Sequence, residues 1–154
     1  MKKVLLAIDN SKGSEQAALT LAGWAKALKP ESILLVHVQK LLGQSLLGEA
    51  LESDQDLEEV SAALEGSEYL AKLDAASAKI ITHFTSILEQ AGLKNISARV
   101  KQGHPAEQII STAKEEDIDL IVVGSRGKRK HSFLLGSVSR EVANTADISV
   151  LVAR

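Results

Sequence analysis

The sequence predicts a three-layer, doubly wound α/β fold, and three observations carry that prediction. Strand-like runs alternate with helix-like runs four times and a closing strand follows, which implies right-handed crossovers and five parallel strands with helices on both faces. Two runs, Val4-Leu5-Leu6-Ala7-Ile8 and Leu120-Ile121-Val122-Val123, are continuously apolar, as strands covered on both faces must be. Each ends in turn-forming residues, Asp9-Asn10-Ser11 and Gly124-Ser125. These two runs are the candidates for adjacent central strands.

Taken in order, Val4–Ile8 is closed by Asp9, Asn10 and Ser11, residues that favour turns and helix N-caps. Ala17, Ala18, Leu21, Ala22, Ala25 and Leu28 then recur at helical spacing, with Trp24 on or beside that stripe. Pro30 stops this helix near Leu28 or Lys29. Ile33–Val38 is the second strand. From about 40 to 66 the pattern weakens into separated leucines and an acidic stretch, read as a loop with a short helix that covers a sheet edge. Tyr69, Leu70, Leu73, Ala76, Ile80, Ile81, Phe84, Ile87 and Leu88 mark a long second helix, which Ala91-Gly92 should end.

The run Ile96–Lys101 alternates apolar with polar residues, the signature of a half-exposed edge strand. Gly103-His104 turns the chain and Pro105 suits the first position of a third helix, which carries Ala106, Ile109, Ile110 and Ala113 inward. After the strand Leu120–Val123, a last helix places Val138, Val142 and Ala146 on one side. Ile148–Val152 is the closing strand.

Composition limits the function. A chain of 154 residues fits one domain, 1–154, without room for a separate catalytic domain. Its net charge of -2 argues against a dedicated nucleic-acid binder. Zero cysteines exclude disulfides, thiolate metal sites and thiol catalysis. No apolar run approaches the ~20 residues of a membrane span, and Met1-Lys2-Lys3 leads into a short strand instead of a signal-peptide core. A cytoplasmic protein, without membrane partners, is expected.

The candidate site lies between Leu120 and Ser139. Gly124 and Gly127, with Ser125 and Arg126 between them, follow the apolar strand, and Gly136-Ser137 opens the last helix. Glycine and serine where a strand hands over to a helix let backbone approach a ligand, and the free N–H groups of a helix start favour negative charge. Arg126, Lys128, Arg129 and Lys130 cluster there in a net-acidic chain, which polyphosphate would use. If Val4–Ile8 and Leu120–Val123 are neighbours, Asp9 stands beside Gly124. A carboxylate near a glycine loop is the pairing expected of a nucleotide site, although a turn-and-cap role for Asp9 is equally compatible with its position.

Together, Asp9-Asn10-Ser11, Leu34-Leu35-Val36-His37-Val38, Gly103-His104-Pro105, Gly124-Ser125-Arg126-Gly127, Leu134-Leu135-Gly136-Ser137-Val138-Ser139 and Ile148–Val152 resemble the universal stress protein family over essentially the whole chain. The resemblance implies an adenine nucleotide alpha hydrolase-like (Rossmann-like) sheet of strand order 3-2-1-4-5, a dimer and, in one branch, ATP binding through a G-2x-G-9x-G-[S/T] motif. It assigns Asp9 and Val38 to adenine or ribose. Backbone groups near Ala7, Ile8, Val123 and Gly124 would line base and sugar, and Ser125, Gly127, Gly136, Ser137 and Val138 would hold the phosphates beside Arg126. Any metal would be Mg²⁺ carried on those phosphates. Eight residues, Lys128 to Leu135, separate Gly127 from Gly136 where the motif has nine, which leaves open whether the loop absorbs the deletion or tightens around the pocket.

No enzyme motif competes. G-x-x-x-x-G-K-[ST] is absent, since Arg129 follows Gly127-Lys128 and Val122 stands at the first glycine position. A dinucleotide fingerprint is missing after the first strand, and Asp9 lacks the second acid of a phosphoacceptor site. His37 reads as a packed residue of a strand, His104 as turn or cap chemistry, and His83 and His131 as surface positions. The closing segment Ile148–Ala153 offers an apolar edge that two chains could pair about a two-fold axis. Two readings follow. One is a nucleotide-binding regulatory module, at most a slow ATPase, whose state a protein partner reads. The other is a dimeric interaction protein that binds no nucleotide. For the first, Gly124→Val or Ser137→Asp is expected to abolish nucleotide binding with the fold intact.

Overall fold

The computed structural model describes residues 2–40, 66–125 and 135–154. The predicted excursion at about 40–66 lies almost wholly outside them, as do Arg126, Gly127 and the basic run that follows. Strand β1 (Lys3–Ile8) leads into helix α1 (Lys12–Leu28), then β2 (Ser32–Gln39), α2 (Glu68–Gln90), β3 (Ile96–Gln102), α3 (Pro105–Glu115), β4 (Leu120–Gly124), α4 (Ser137–Thr145) and β5 (Ser149–Ala153). The strands form one five-stranded sheet of order β3-β2-β1-β4-β5, and every neighbouring pair is parallel.

The alternation of side chains across the sheet builds two cores. Leu6, Ile8, Ile33, Leu35 and Val122 pack with Ala17, Ala18 and Leu21 of α1 and Phe84 and Leu88 of α2. On the opposite face Leu5, Val36, Ile121 and Val123 pack with Ala106, Ile109, Ile110 and Ala113 of α3 and Val142 of α4. β1 and β4 supply both cores, which is why their sequences are apolar without a break. Edge strand β3 is half-exposed, and it carries Arg99 and Lys101 in surface ion pairs with Glu116 and Glu115.

Helix ends follow their local chemistry. Lys29 adopts a left-handed φ of 44° and returns its N–H to the Ala25 carbonyl, so α1 closes just before Pro30. Gly92, at φ 81°, takes the left-handed conformation after α2 that a side chain would resist. Trp24 stands beside the α1 stripe and not on it, with 50% of its surface exposed. At the amino end of the sheet, Asp119 accepts the backbone N–H groups of Lys2 and Lys3 at 2.6 and 2.9 Å and ties β1 to the entry of β4. Among the described residues, no helix is long and apolar enough to cross a membrane.

Candidate functional site

In an open α/β sheet, ligands bind beyond the carboxyl ends of the strands where the order reverses. Here that place lies between β1 and β4, from which the chain winds outward in both directions. The β1–β2 ladder runs to Ile8↔His37 and the β4–β5 ladder to Gly124↔Ala153. The β1–β4 ladder stops earlier, at Leu6↔Val122. Ala7, Ile8, Val123 and Gly124 thus border a crevice in which the two central strands no longer pair. The structure therefore brings these four predicted residues together at one place.

Side-chain direction divides them. Ala7, Val38, Val123 and Val138 belong to the core beneath α3 and α4 and give the crevice an apolar wall on that side. Ile8 points into the opposite core at 4% exposure, so only its backbone borders the crevice. Its carbonyl accepts a hydrogen bond from His37 Nδ1 at 3.0 Å, which places the ring proton on Nδ1 because a carbonyl cannot donate. His37 is thus more than a packed residue: it holds a carbonyl at the rim.

One wall is the start of α1. Asp9 Oδ1 accepts the Ser11 N–H at 2.9 Å and the Ser14 hydroxyl at 2.7 Å. Ser14 Oγ accepts the Asp9 N–H at 3.0 Å, and the Ser11 side chain caps the Ser14 N–H at 3.2 Å. Asp9 therefore does have the turn-and-cap role, through one oxygen. Its other oxygen, Oδ2, has no hydrogen-bond partner among the described residues. On the α1–α2 side a cleft of about 310 Å³ adjoins this turn, lined by Asp9–Lys12 and Glu15 with Lys79, Ile80, His83 and Phe84 of α2. Of the predicted site it contains Asp9.

The other wall is the start of α4. Gly136 is its N-cap and provides no side-chain bond, and the first turn has no acidic residue. The N–H groups of Ser137, Val138 and Ser139 have no intrahelical partner at such an end. Ser137 is exposed, while Gly136 and Val138 are half-buried. The Gly136 N–H donates to the Ser125 carbonyl at 2.8 Å, and the Ser125 N–H to the Ala153 carbonyl at 2.6 Å. The chain leaving β4 and the chain entering α4 therefore touch. Ser139, buried at 5% exposure, donates its hydroxyl to the Gly124 carbonyl.

Gly124 has a reason for being glycine beyond the one its sequence context suggests. A Cβ there would stand well inside contact distance of the Gly13 backbone in the first turn of α1. The residue is needed for the close approach of α1 to β4, so Gly124→Val cannot leave the fold undisturbed. His104 is the N-cap residue of α3 but makes no capping bond; its Nδ1 lies 3.7 Å from Glu141 Oε1 on α4. Ser11 is the N-cap that its place after the first strand suggested, whereas sequence reasoning gave no role to Ser14 or Ser139 and read His37 only as a packed residue. Ser139 had a usable signal, since a serine three residues after a glycine N-cap is free to bond elsewhere.

Chemically, this end of the sheet offers an apolar slot, a half-buried carboxylate with one uncommitted oxygen, and a helix start open to an anion. A universal stress protein of Methanocaldococcus jannaschii, MJ0577, is 30% identical over 99% of this chain and 94% of its own length; the solved structure of MJ0577 matches at a TM-score of 0.74 with 29% identity over 99% and 94% of the two chains. A universal stress protein in complex with cAMP matches at 0.68 with 23% identity, covering 99% of this chain and 97% of its own. An Arabidopsis thaliana protein of the family with AMP bound matches at 0.65 with 22% identity over 99% and 91%. The shared fold is the adenine nucleotide alpha hydrolase-like fold. The family model described as "Universal stress protein family" matches residues 1–154. Strand order and whole-length similarity agree, and the chain belongs to the universal stress protein family.

Proposed function

We propose that the chain, as one domain over 1–154, is a cytoplasmic regulatory module that binds an adenine nucleotide, ATP with Mg²⁺ carried on its phosphates. One observation carries this reading: the uncapped start of α4 stands against the end of β4, beside the point where the β1–β4 ladder stops. An anion is stabilised at such a helix start, and the apolar wall of Ala7, Val38, Val123 and Val138 suits a base. Asp9, through Oδ2, and Val38 would contact adenine or ribose. The backbone of Ala7, Ile8, Val123 and Gly124 would line base and sugar; Ser125, Arg126, Gly127, Gly136, Ser137 and Val138 would surround the phosphates. The cAMP and AMP described in proteins of the same fold are of this ligand class.

In this reading Asp9 is engaged with adenine or ribose and does not serve as a general base for hydrolysis. Nucleotide occupancy would instead select a conformation that a protein partner reads. The module would be a homodimer through Ile148–Ala153. β5 ends the sheet with no charged residue in Ser149–Ala153, whereas the opposite edge, β3, is guarded by Arg99 and Lys101, the device natural sheets use against pairing.

Denaturing the purified protein and identifying the released nucleotide, then titrating Mg²⁺-ATP into the emptied protein by calorimetry, tests the reading. We expect one adenine nucleotide per chain and a dissociation constant of ~1–100 μM, roughly −8 to −5 kcal/mol. Neither release nor binding would overturn it in favour of a protein-interaction module. Sedimentation at micromolar concentration should find a dimer, and a monomer would remove the β5 pairing.

A further inference from the structure

The first turn of α4 is held to the end of β4 at two points. The Gly136 N–H donates to the Ser125 carbonyl at 2.8 Å, and the buried Ser139 hydroxyl donates to the Gly124 carbonyl. Gly136 is the N-cap and Ser139 the third helical residue, so the two bonds leave one side of the helix. In a capping box a Glu or Gln at that third position turns back on its own N-cap and uses up an orphan donor. Here the hydroxyl crosses to the neighbouring strand, and the glycine cap has no side chain with which to reach the first turn. The N–H groups of Ser137, Val138 and Ser139 stay directed out of the helix end.

Hydrogen bonds to an anion weaken steeply with misalignment, and the favourable field of a helix end fades within its first turn. The placement of this turn relative to the crevice therefore decides how much of it a phosphate feels. Without the Ser139 bond, the Gly136–Ser125 contact is the one hydrogen bond left between this turn and the end of β4 among the described residues. The turn is then held by the packing of half-buried Val138 and, further along, of fully buried Val142.

We propose that the Ser139 side chain has a positioning role: through the Gly124 carbonyl its hydroxyl sets the register between the open turn of α4 and the crevice, and so governs the phosphate contribution to nucleotide affinity without itself touching the ligand. This inference rests on the adenine-nucleotide reading of the site and deepens it. Its signature is selective. Apart from the Gly124 backbone and Val138, the nucleoside part of the ligand faces groups that Ser139 does not hold, Asp9 and the wall of Ala7, Val38 and Val123; the phosphate part faces the turn that it does hold.

Calorimetric titration of adenosine and of AMP into wild type, Ser139→Ala and Ser139→Thr tests it, with adenosine affinity as the internal measure of an intact fold. Ser139→Ala should weaken AMP binding by about three- to tenfold, the scale of one net hydrogen bond, and leave adenosine unchanged. Ser139→Thr, which keeps the hydroxyl, should restore AMP binding. Equal weakening of both ligands would reduce Ser139 to general packing and overturn the proposal, as would undiminished AMP binding in Ser139→Ala or failure of Ser139→Thr to rescue. Wild type that binds adenosine as tightly as AMP would sink the Ser139 proposal alone, whereas wild type that binds neither would sink the adenine-nucleotide reading together with it.

Discussion

The starts of α1 and α4 lie on either side of the same crevice and are built on opposite plans. At α1 every local device is used: Ser11 caps, Asp9 and Ser14 brace the turn, and Glu15 adds an acid to the first turn. At α4 the cap is a glycine, the first turn has no acid, and the one buried hydroxyl is spent on the strand. The α1 start is therefore complete in itself, while the α4 start has orphan N–H groups and no side-chain cap. Stability is built into one helix end, and the proposed function puts ligand affinity at the other.

Making α4 resemble α1 should have the largest effect. Ser137→Asp puts a carboxylate at an exposed position of the open turn, where it should abolish measurable ATP binding in calorimetry while raising stability by about 0.3–1 kcal/mol through the helix dipole. Retained affinity would move the phosphate elsewhere. Gly124→Val should come next, because it drives a side chain into the Gly13 backbone and disturbs both walls at once; we expect a loss of about 1–3 kcal/mol in chemical denaturation. Full stability would mean that α1 moves aside at no cost.

Stripping α1 of its cap is a milder change. Ser11→Ala should cost about 1 kcal/mol of stability yet leave the difference in affinity between AMP and adenosine unaltered. A selective loss of phosphate affinity would mean that the two starts are not independent. The smallest effect lies at the far end of the sheet. The backbone N–H groups of Lys3 and Lys2 hold the Asp119 carboxyl below its ordinary range, so its stabilisation is present at pH above that range and is lost as pH falls through the lowered value. The melting temperature of Asp119→Asn should therefore lie below wild type at neutral pH and converge with it in acid, with nucleotide affinity unchanged throughout.

What the sequence made legible divides along similar lines. The doubly buried strands, the alternating edge strand and the ends of α1 and α2 were readable because periodicity, Pro30 and Gly92 act over a few residues. Trp24 was ambiguous because its exposure depends on how α1 is tilted across the sheet, which no local pattern fixes. The Gly124–Gly13 approach, the His104–Glu141 contact and the Ser139–Gly124 bond join residues distant in the chain. Gly124 was accordingly legible as a glycine that mattered, but its packing partner was not. Asp9 was readable as a turn-and-cap residue, and the structure assigns one of its oxygens to that role.

The junction of β1 with β4 also bears on the order in which the chain is made. Lys2 bonds Asp119 across 117 positions of sequence, and the central seam of the sheet cannot close until β4 has been synthesised. β1, β2 and β3 can pair with one another before then, with α1 and α2 folded against one face. Non-local pairing of this kind is slow relative to local contacts, and the crevice straddles the seam. Under the proposed function, binding competence is thus the last property a nascent chain acquires, and a ribosome stalled before Leu120 would display a half-sheet with its apolar β1 edge unsheltered, a natural substrate for chaperones.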